Sequence, residues 1–254
     1  MPVIGIPCRR FDFDQTSECA DFLPSQPVHG VLTSYIEALN RCAASIVLLP
    51  VQRRDLALTA FEQCDGLLLA GGEDVTASLA ELSIAVRNEK VTRDTIEFEL
   101  LSSAITLHRP VLGICRGMQL INLFHGGSVR PLVEILESPL RHVTRWREDE
   151  KYVHTVTIAP NCLLNNILAS PECVPVNCNH SSTIDVLGKG LIATAFSDDG
   201  ATEALETIGG SFCIAVQWHP ESPALGNDPY ANAILRSFVS ACEAMRPQEV
   251  TYTE

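Results

Sequence analysis

The sequence predicts an α/β fold in which a mostly parallel sheet carries helices on both faces and the C-terminal half is rich in strands. Three observations point there. Short aliphatic runs closed by Gly or Pro recur through the first half, as buried strands of a parallel sheet require. Between them lie stretches whose apolar residues recur at three and four, the spacing of one helix face. Beyond residue 153 the runs are short and turn signals crowd between them, the pattern of successive strands.

Taken in order, VIGI (3–6), SIVLLP (45–50), GLLLAGG (66–72) and VLGIC (111–115) read as buried strands. VLTSYIEALNRCA places Val31, Leu32, Tyr35, Ile36 and Leu39 on one helical face, and TRDTIEFELLSSAITL does the same with Ile96, Leu100, Leu101 and Ile105. MQLINLF continues the chain as a helix after Cys115 until Gly126 and Gly127 end it. VHTVTIAP, CVPVNC, GLIATAF, ALETI and FCIAVQW supply the later strands, and PYANAILRSFVSAC closes the chain as a helix. Residues 138–152, SPLRHVTRWREDEKY, are polar and charged and read as a surface loop. With no internal repeat, low-complexity tract or linker, residues 1–254 are expected to form a single domain.

Composition narrows the functions. Hydrophobic residues make up 46% of the 254 and charged residues 19%, enough apolar material for a sizeable core. A net charge of -13 sets a negative field against phosphate backbones and anionic lipid, so neither nucleic acid nor a membrane surface is an expected partner. No apolar segment is long enough to span a bilayer, and MPVIGIPCRR has no signal-peptide pattern, so a cytoplasmic location is expected. The ten cysteines are scattered without a C-x-x-C pair. The nearest two, Cys173 and Cys178, flank a strand-like run, which argues against a zinc knuckle and for small buried hydrophobes.

Against that background Cys115 stands apart. Gly113, Ile114, Cys115, Arg116 and Gly117 form G-x-C-x-G at a strand-to-helix junction, the thiol counterpart of a nucleophile elbow, where residues without Cβ relieve the crowding of a sharp turn. A helix N-terminus stabilises negative charge on the sulfur. The Arg116 N–H, beside it, is placed to receive the oxyanion formed when sulfur attacks an amide carbonyl. A second donor is expected from the loop at Gly71 and Gly72, which ends another strand at the same sheet edge. Taken alone, G-x-C-x-G also matches ordinary turns, so a base is required elsewhere.

That base is read in AVQWHPES. His219 follows an apolar strand and precedes Pro220, which should end the strand and present the imidazole at its tip. Glu221 can reach back to one ring nitrogen while the other faces the thiol. Of the remaining histidines, His29, His108, His142 and His154 read as surface or structural residues, and His125 suits a helix C-terminus. His180, in VNCNHSS, is not so readily set aside.

GICRGMQ, GGEDV and VQWHPE, in this order and at these distances, resemble the class I glutamine amidotransferase-like superfamily, and within it most closely the γ-glutamyl-amide hydrolases typified by γ-glutamyl-γ-aminobutyrate hydrolase. Arg93, Asp94 and Glu97, the GGS at 126–128, Val176 with Asn177, and SDDGATEALE (197–206) extend the resemblance over most of the chain. It implies a three-layer, flavodoxin-like sandwich. It also implies Cys115 as nucleophile, His219 as base, Glu221 as its partner, and backbone N–H groups of Gly72 and Arg116 as the oxyanion hole. Gln119 is implied to contact the glutamyl group, with Asn177, Cys178 and His180 holding its α-amino and α-carboxyl ends.

Two departures bear on substrate recognition. Where relatives carry a Pro and a Tyr-Gly pair after GG-x-D-V, this chain has TASLAELSIAV. Where they show S-x-H-H-Q or S-x-H-G-Q, it has Cys178, Asn179, His180, Ser181 and Ser182. The expected reaction is hydrolysis of a small γ-glutamyl amide through a γ-glutamyl thioester, with no metal or other cofactor and with a homodimer allowed. A glutaminase serving a synthase partner and a non-catalytic binding relative are the competing readings. Asp74 and Asp94 also fit plain turn or helix caps.

Overall fold

The computed structural model describes residues 1–11, 27–73, 75, 79–87, 91–136, 142–143, 151–222 and 226–246. Asp74 and all but four residues of the polar 138–152 stretch lie outside the described residues.

In chain order the elements are β1 (Val3–Pro7), β2 (Arg9–Phe11), β3 (Val28–Gly30), α1 (Thr33–Arg41), β4 (Ser45–Leu49), α2 (Arg54–Phe61), β5 (Gly66–Leu69), α3 (Leu79–Arg87), α4 (Arg93–Thr106), β6 (Val111–Ile114), α5 (Arg116–Phe124), β7 (Ser128–Pro131) and α6 (Leu132–Ile135). They continue as β8 (His154–Ile158), α7 (Leu163–Ile167), β9 (Cys173–Val176), β10 (Ser182–Val186), β11 (Leu191–Ser197), β12 (Thr202–Thr207), β13 (Cys213–Val216) and α8 (Pro229–Ala244). Every strand read from the sequence forms. Beyond that reading lie α2, α3, two very short helices and the small pairings β2–β3 and β7–β10.

One nine-stranded sheet runs β4-β1-β5-β6-β13-β12-β11-β8-β9. Its first five strands are parallel and the other four add on antiparallel. The strand-rich C-terminal half is therefore an extension of the same sheet. The decisive step is non-local: β13 returns from the end of the chain to pair with β6, with Val216 opposite Ile114 and Ala215 opposite Gly113. On the other side of β6, Leu69 of β5 also lies opposite Gly113.

Because side chains alternate along each strand, the sheet buries two separate cores. Leu68, Ile114, Ile214 and Val216 face α1 and α8, where Tyr35, Leu39, Leu235 and Phe238 meet them. Leu67, Leu69, Val111 and Ala215 face the opposite way, toward Phe61, Leu100, Leu101 and Met118 of α2, α4 and α5. Fully burying a side chain such as Phe238 or Leu101 contributes about 1.5–3 kcal/mol. The helices also have defined starts. Thr92 and Thr95 form a reciprocal capping box on α4, and Asp228 accepts the Ala231 amide at 2.8 Å ahead of Pro229 on α8, each such cap being worth about 1 kcal/mol.

Candidate active site

The carboxyl ends of β5, β6 and β13 lie side by side, so the chain leaving each strand enters the same space. From the middle strand comes Cys115, with φ 53° and ψ -106°. A residue with a Cβ is held there only by surrounding structure, and the glycines on either side make the turn feasible. A Cβ on Gly117 would strike the Leu69 carbonyl oxygen and lie 2.8 Å from Leu69 Cβ, and one on Gly113 would lie 2.7 Å from Ile121 Cδ1. Both glycines are thus required by close packing of α5 on β5 and β6. Cys115 occupies the N-cap position of α5 without a side-chain cap bond, so its sulfur is not spent on the helix amides.

His219 arrives from β13. That strand ends at Val216, two residues earlier than the sequence reading placed its end, although the Gln217 amide still donates to the Glu203 carbonyl at 2.7 Å. The backbone of His219 is clamped by the Asn177 side chain: the His219 N–H donates to Asn177 Oδ1 at 2.8 Å, and Asn177 Nδ2 donates to the His219 carbonyl at 2.9 Å. Nδ1 of His219 bonds to Glu221 Oε1 at 2.8 Å, and Cys115 interacts with the same imidazole. Burial alone would lower the His219 pKa, but the negative charges of Glu221 and of the Cys115 sulfur outweigh it and raise it from 6.5 to about 10. The ring is an imidazolium at neutral pH, held between a carboxylate and a sulfur.

The glycine loop is fixed from several directions. Arg93 Nη2 donates to the Ala70 and Gly71 carbonyls at 3.2 and 3.1 Å, the Gly71 amide donates to the Tyr35 hydroxyl at 2.8 Å, and the Val75 amide donates to Gln119 Oε1 at 3.2 Å. Arg93 is itself held by Glu97 at 2.7 Å, and Glu97 also pairs with the guanidinium of Arg116, which in turn reaches Asp94. Burial opposes the charge on Glu97, yet Arg116 and Arg93 hold its carboxyl below the usual carboxylate range. The Arg116 guanidinium is thus engaged in a buried ion network with Glu97 and Asp94, and its Cδ packs close to Gly72.

These parts surround a cavity of about 240 Å³ lined by Arg9, Tyr35, Gly71, Gly72, Asn179 and the Cys115, His219, Glu221 set, among others. Cys115 Sγ lies 3.9 Å from the Asn179 carbonyl oxygen. Sequence-predicted residues therefore divide into two groups. Cys115, His219, Glu221 and Gly72 line the cavity, whereas Gln119 braces the loop through Val75, Asn177 holds His219, and Cys178 and His180 are buried next to His142. His142 and His154 are not surface residues: their side chains are 1% and 7% exposed. Donor atoms of His142, Cys178, His180 and Glu203 gather within 4.8 Å of one another. Three cavity residues carried no sequence signal of their own. Tyr35 reads only as an apolar position of a helix, Arg9 lies just past the carboxyl end of β1, and Asn179 sits inside a motif whose flanking residues drew attention instead.

Comparison with known proteins gives a consistent result. Residues 2–221 match the family model of peptidase C26. Protein NtpR of Enterococcus hirae is 30% identical over 225 residues, covering 87% of this chain and 91% of the relative. A putative glutamine amidotransferase of Mycobacterium tuberculosis is 34% identical over 200 residues, covering 77% and 63% respectively. The γ-glutamyl-γ-aminobutyrate hydrolase of Escherichia coli is 26% identical over 240 residues, covering 89% and 91%. Among solved structures, the glutaminase domain of Trypanosoma brucei CTPS with bound acivicin superposes with a TM-score of 0.63 at 16% identity, covering 96% of this chain and 94% of that one. A glutamine amidotransferase from Thermotoga maritima does so at 0.57 and 16%, covering 96% of both chains.

Proposed function

Because the chain belongs to the peptidase C26 family and is glutamine amidotransferase-like, we propose that it is a cysteine hydrolase that cleaves the γ-glutamyl amide bond of a small γ-glutamyl amine or peptide. The observation that carries this reading is the protonated His219 held between Glu221 and Cys115 at a cavity floored by a glycine turn. An imidazolium beside the Cys115 sulfur has the proton that the departing amine of covalent acyl transfer requires.

In the first half-reaction Cys115 Sγ adds to the γ-carbonyl carbon, and the carbonyl oxygen becomes an oxyanion received by the Gly72 and Arg116 amides. As the C–N bond breaks, His219 gives its proton to the departing nitrogen and the amine leaves. The γ-glutamyl group remains on sulfur as a thioester. In the second, the now neutral His219 takes a proton from water, and the resulting hydroxide attacks the thioester carbon. Glutamate departs, and thiolate and imidazolium are restored. Glu221 keeps the His219 tautomer and orientation throughout. Arg9, whose Nε is buried without a hydrogen-bond partner among the described residues, supplies a cation in the cavity for a substrate carboxylate. The γ-glutamyl preference is supported by the E. coli relative, whose name states that substrate.

The test is a turnover panel of γ-glutamyl amines, γ-glutamyl peptides and free glutamine, with wild type and Cys115→Ala. The reading expects amine release from γ-glutamyl amides by the wild-type chain alone and none from the variant. Release of ammonia from glutamine only when a synthase is added would replace it with the glutaminase-partner reading.

A further inference from the structure

Directly behind the cavity wall lies a second constellation that the reaction above does not use. His142 comes from the polar stretch after α6, Cys178 and His180 flank the cavity residue Asn179, and Glu203 projects from β12. All four side chains are buried, with His180 and Glu203 fully so. Neither oxygen of Glu203 has a hydrogen-bond partner among the described residues, nor does Nε2 of His180 or either ring nitrogen of His154. So many unsatisfied polar atoms facing one another in a core call for an explanation.

Spacing and tautomers supply one. His142 Nδ1 lies 3.4 Å from Cys178 Sγ and 3.4 Å from Glu203 Oε1, and His180 Nε2 lies 3.5 Å from the same Glu203 oxygen. Charge-assisted N–H to carboxylate bonds would be about 2.7–2.9 Å. Ligands of a tetrahedral zinc ion, at its usual bond lengths, stand roughly 3.3–3.6 Å apart, which these three pairs match, while the four donor atoms as a set lie within 4.8 Å of one another. The outward-facing nitrogens have acceptors of their own. His142 Nε2 bonds to Asp199 Oδ2 at 2.8 Å, and His180 Nδ1 bonds to the Ser182 carbonyl at 2.9 Å. A carbonyl only accepts, so Nδ1 of His180 carries a proton, and in the neutral ring the Nε2 lone pair faces inward. The Asp199 carboxylate selects the corresponding tautomer of His142. Outer acceptors that fix ligand tautomers in this way are characteristic of metal sites.

We infer that His142 Nδ1, Cys178 Sγ, His180 Nε2 and Glu203 Oε1 form a closed, four-coordinate site for a zinc-type divalent cation, distinct from the Cys115 centre. Charge balance agrees: a dication is neutralised by one thiolate and one carboxylate, with the Glu203 charge otherwise facing, among the described residues, only the His142, His154 and His180 rings at 3.4–3.5 Å. Four protein ligands leave no open position, so the ion is structural. It ties the 142 segment and β12 to the turn whose Asn179 carbonyl lies against Cys115 Sγ, and so fixes that wall of the cavity. His154 Nε2, 3.4 Å from Glu203 Oε1 and with its ring edge-on to that of His142, backs the set. The site also gives a reason for Cys178 where relatives carry the serine of S-x-H, and it revises the expectation of a metal-free chain.

The full chain, purified without chelator, is expected to carry close to one equivalent of zinc by elemental analysis. After zinc is exchanged for Co²⁺, the Cys115→Ala protein should show a near-ultraviolet sulfur-to-cobalt band and visible bands of tetrahedral intensity. Cys178→Ser in the same background should lose the sulfur band, and Glu203→Gln should lose most of the bound metal while circular dichroism confirms folding. Absence of stoichiometric metal together with no spectral response to added Co²⁺ overturns the site. So does a sulfur band that survives Cys178→Ser or depends on Cys115. If a variant fails to fold, the Co²⁺ spectrum of the Cys115→Ala chain alone decides between these outcomes.

Discussion

The Tyr35 hydroxyl accepts the Gly71 amide hydrogen at 2.8 Å, and the same phenol faces the Glu221 carboxylate, which after burial is the main reason its pKa stands well above 10. One oxygen therefore joins the glycine turn that borders the sulfur to the acid that orients the imidazole. With its acceptor role taken up by Gly71, the phenol's own proton is free to favour Glu221.

Tyr35→Phe keeps the ring in the core and deletes this link. A buried amide left without its acceptor costs about 1–3 kcal/mol. If that cost falls on the geometry of the turn during oxyanion formation, kcat drops roughly tenfold to a hundredfold with KM much less affected. Steady-state kinetics on any turned-over γ-glutamyl amide checks this, and an unchanged kcat means that Arg93 and Gln119 hold the loop without the phenol.

The charge on His219 sets the alkaline side of the activity profile. Its pKa is raised from 6.5 to about 10 by Glu221 first and the Cys115 sulfur next, against the lowering effect of burial. Departure of the amine needs the imidazolium, so kcat/KM is expected to fall as pH rises through about 10. In Glu221→Gln that limb moves to lower pH. The stabilisation tied to the protonated ring follows the same sign: fully present below pH 6.5 and lost as pH rises through about 10. A limb that stays in place in Glu221→Gln would remove Glu221 from the relay.

Arg9 offers a test of substrate polarity. Its guanidinium borders the cavity beside Glu73, 3.5 Å away, and Nε is buried without a hydrogen-bond partner among the described residues. A charge-assisted contact to a substrate carboxylate is worth about 1.5–3 kcal/mol, so Arg9→Ala should raise KM roughly tenfold to a hundredfold while kcat changes little. The effect should vanish for an analogue whose carboxylate is converted to a primary amide. Equal losses for both analogues would make Arg9 a prop for the wall.

How far the sequence disclosed all this depends on whether a feature is local. Cys115 with its glycines, His219 with Glu221, and the Gly71–Gly72 turn each occupy a few consecutive residues at a strand end, so residue type and spacing identify them. The parallel half of the sheet was legible for the same reason, since each aliphatic strand announces itself. What pairs with what is not local. The insertion of β13 beside β6 follows from register and burial across the whole sheet. Tyr35 and Arg9 join the cavity only because α1 and the end of β1 flank that edge. The cluster of His142, Cys178, His180 and Glu203 draws on the stretch after α6, the connection between β9 and β10, and β12, so no sequence spacing betrays it. Asn177 and Gln119 were singled out as substrate contacts by resemblance, yet their side-chain bonds go to His219 and Val75.

The ion network behind the turn carries the largest expected stability effect. Glu97, 0% exposed, is shared by Arg93 and the almost fully buried Arg116, and removing one partner of such a set leaves an uncompensated charge at a cost of about 3–5 kcal/mol. Glu97→Gln preserves shape and abolishes the charge, so urea unfolding at neutral pH should show a loss in that range. Burial works against the carboxylate, but Arg116 and Arg93 hold the Glu97 pKa below 4.5, so its contribution is present above pH 4.5 and disappears as pH falls through the folded-state value. The gap between wild type and Glu97→Gln should accordingly narrow in acid. Arg93 also donates to the Ala70 and Gly71 carbonyls, so the variant should lose kcat even where it remains folded. A variant as stable as wild type at neutral pH would mean that desolvating these three charges costs as much as their pairing returns.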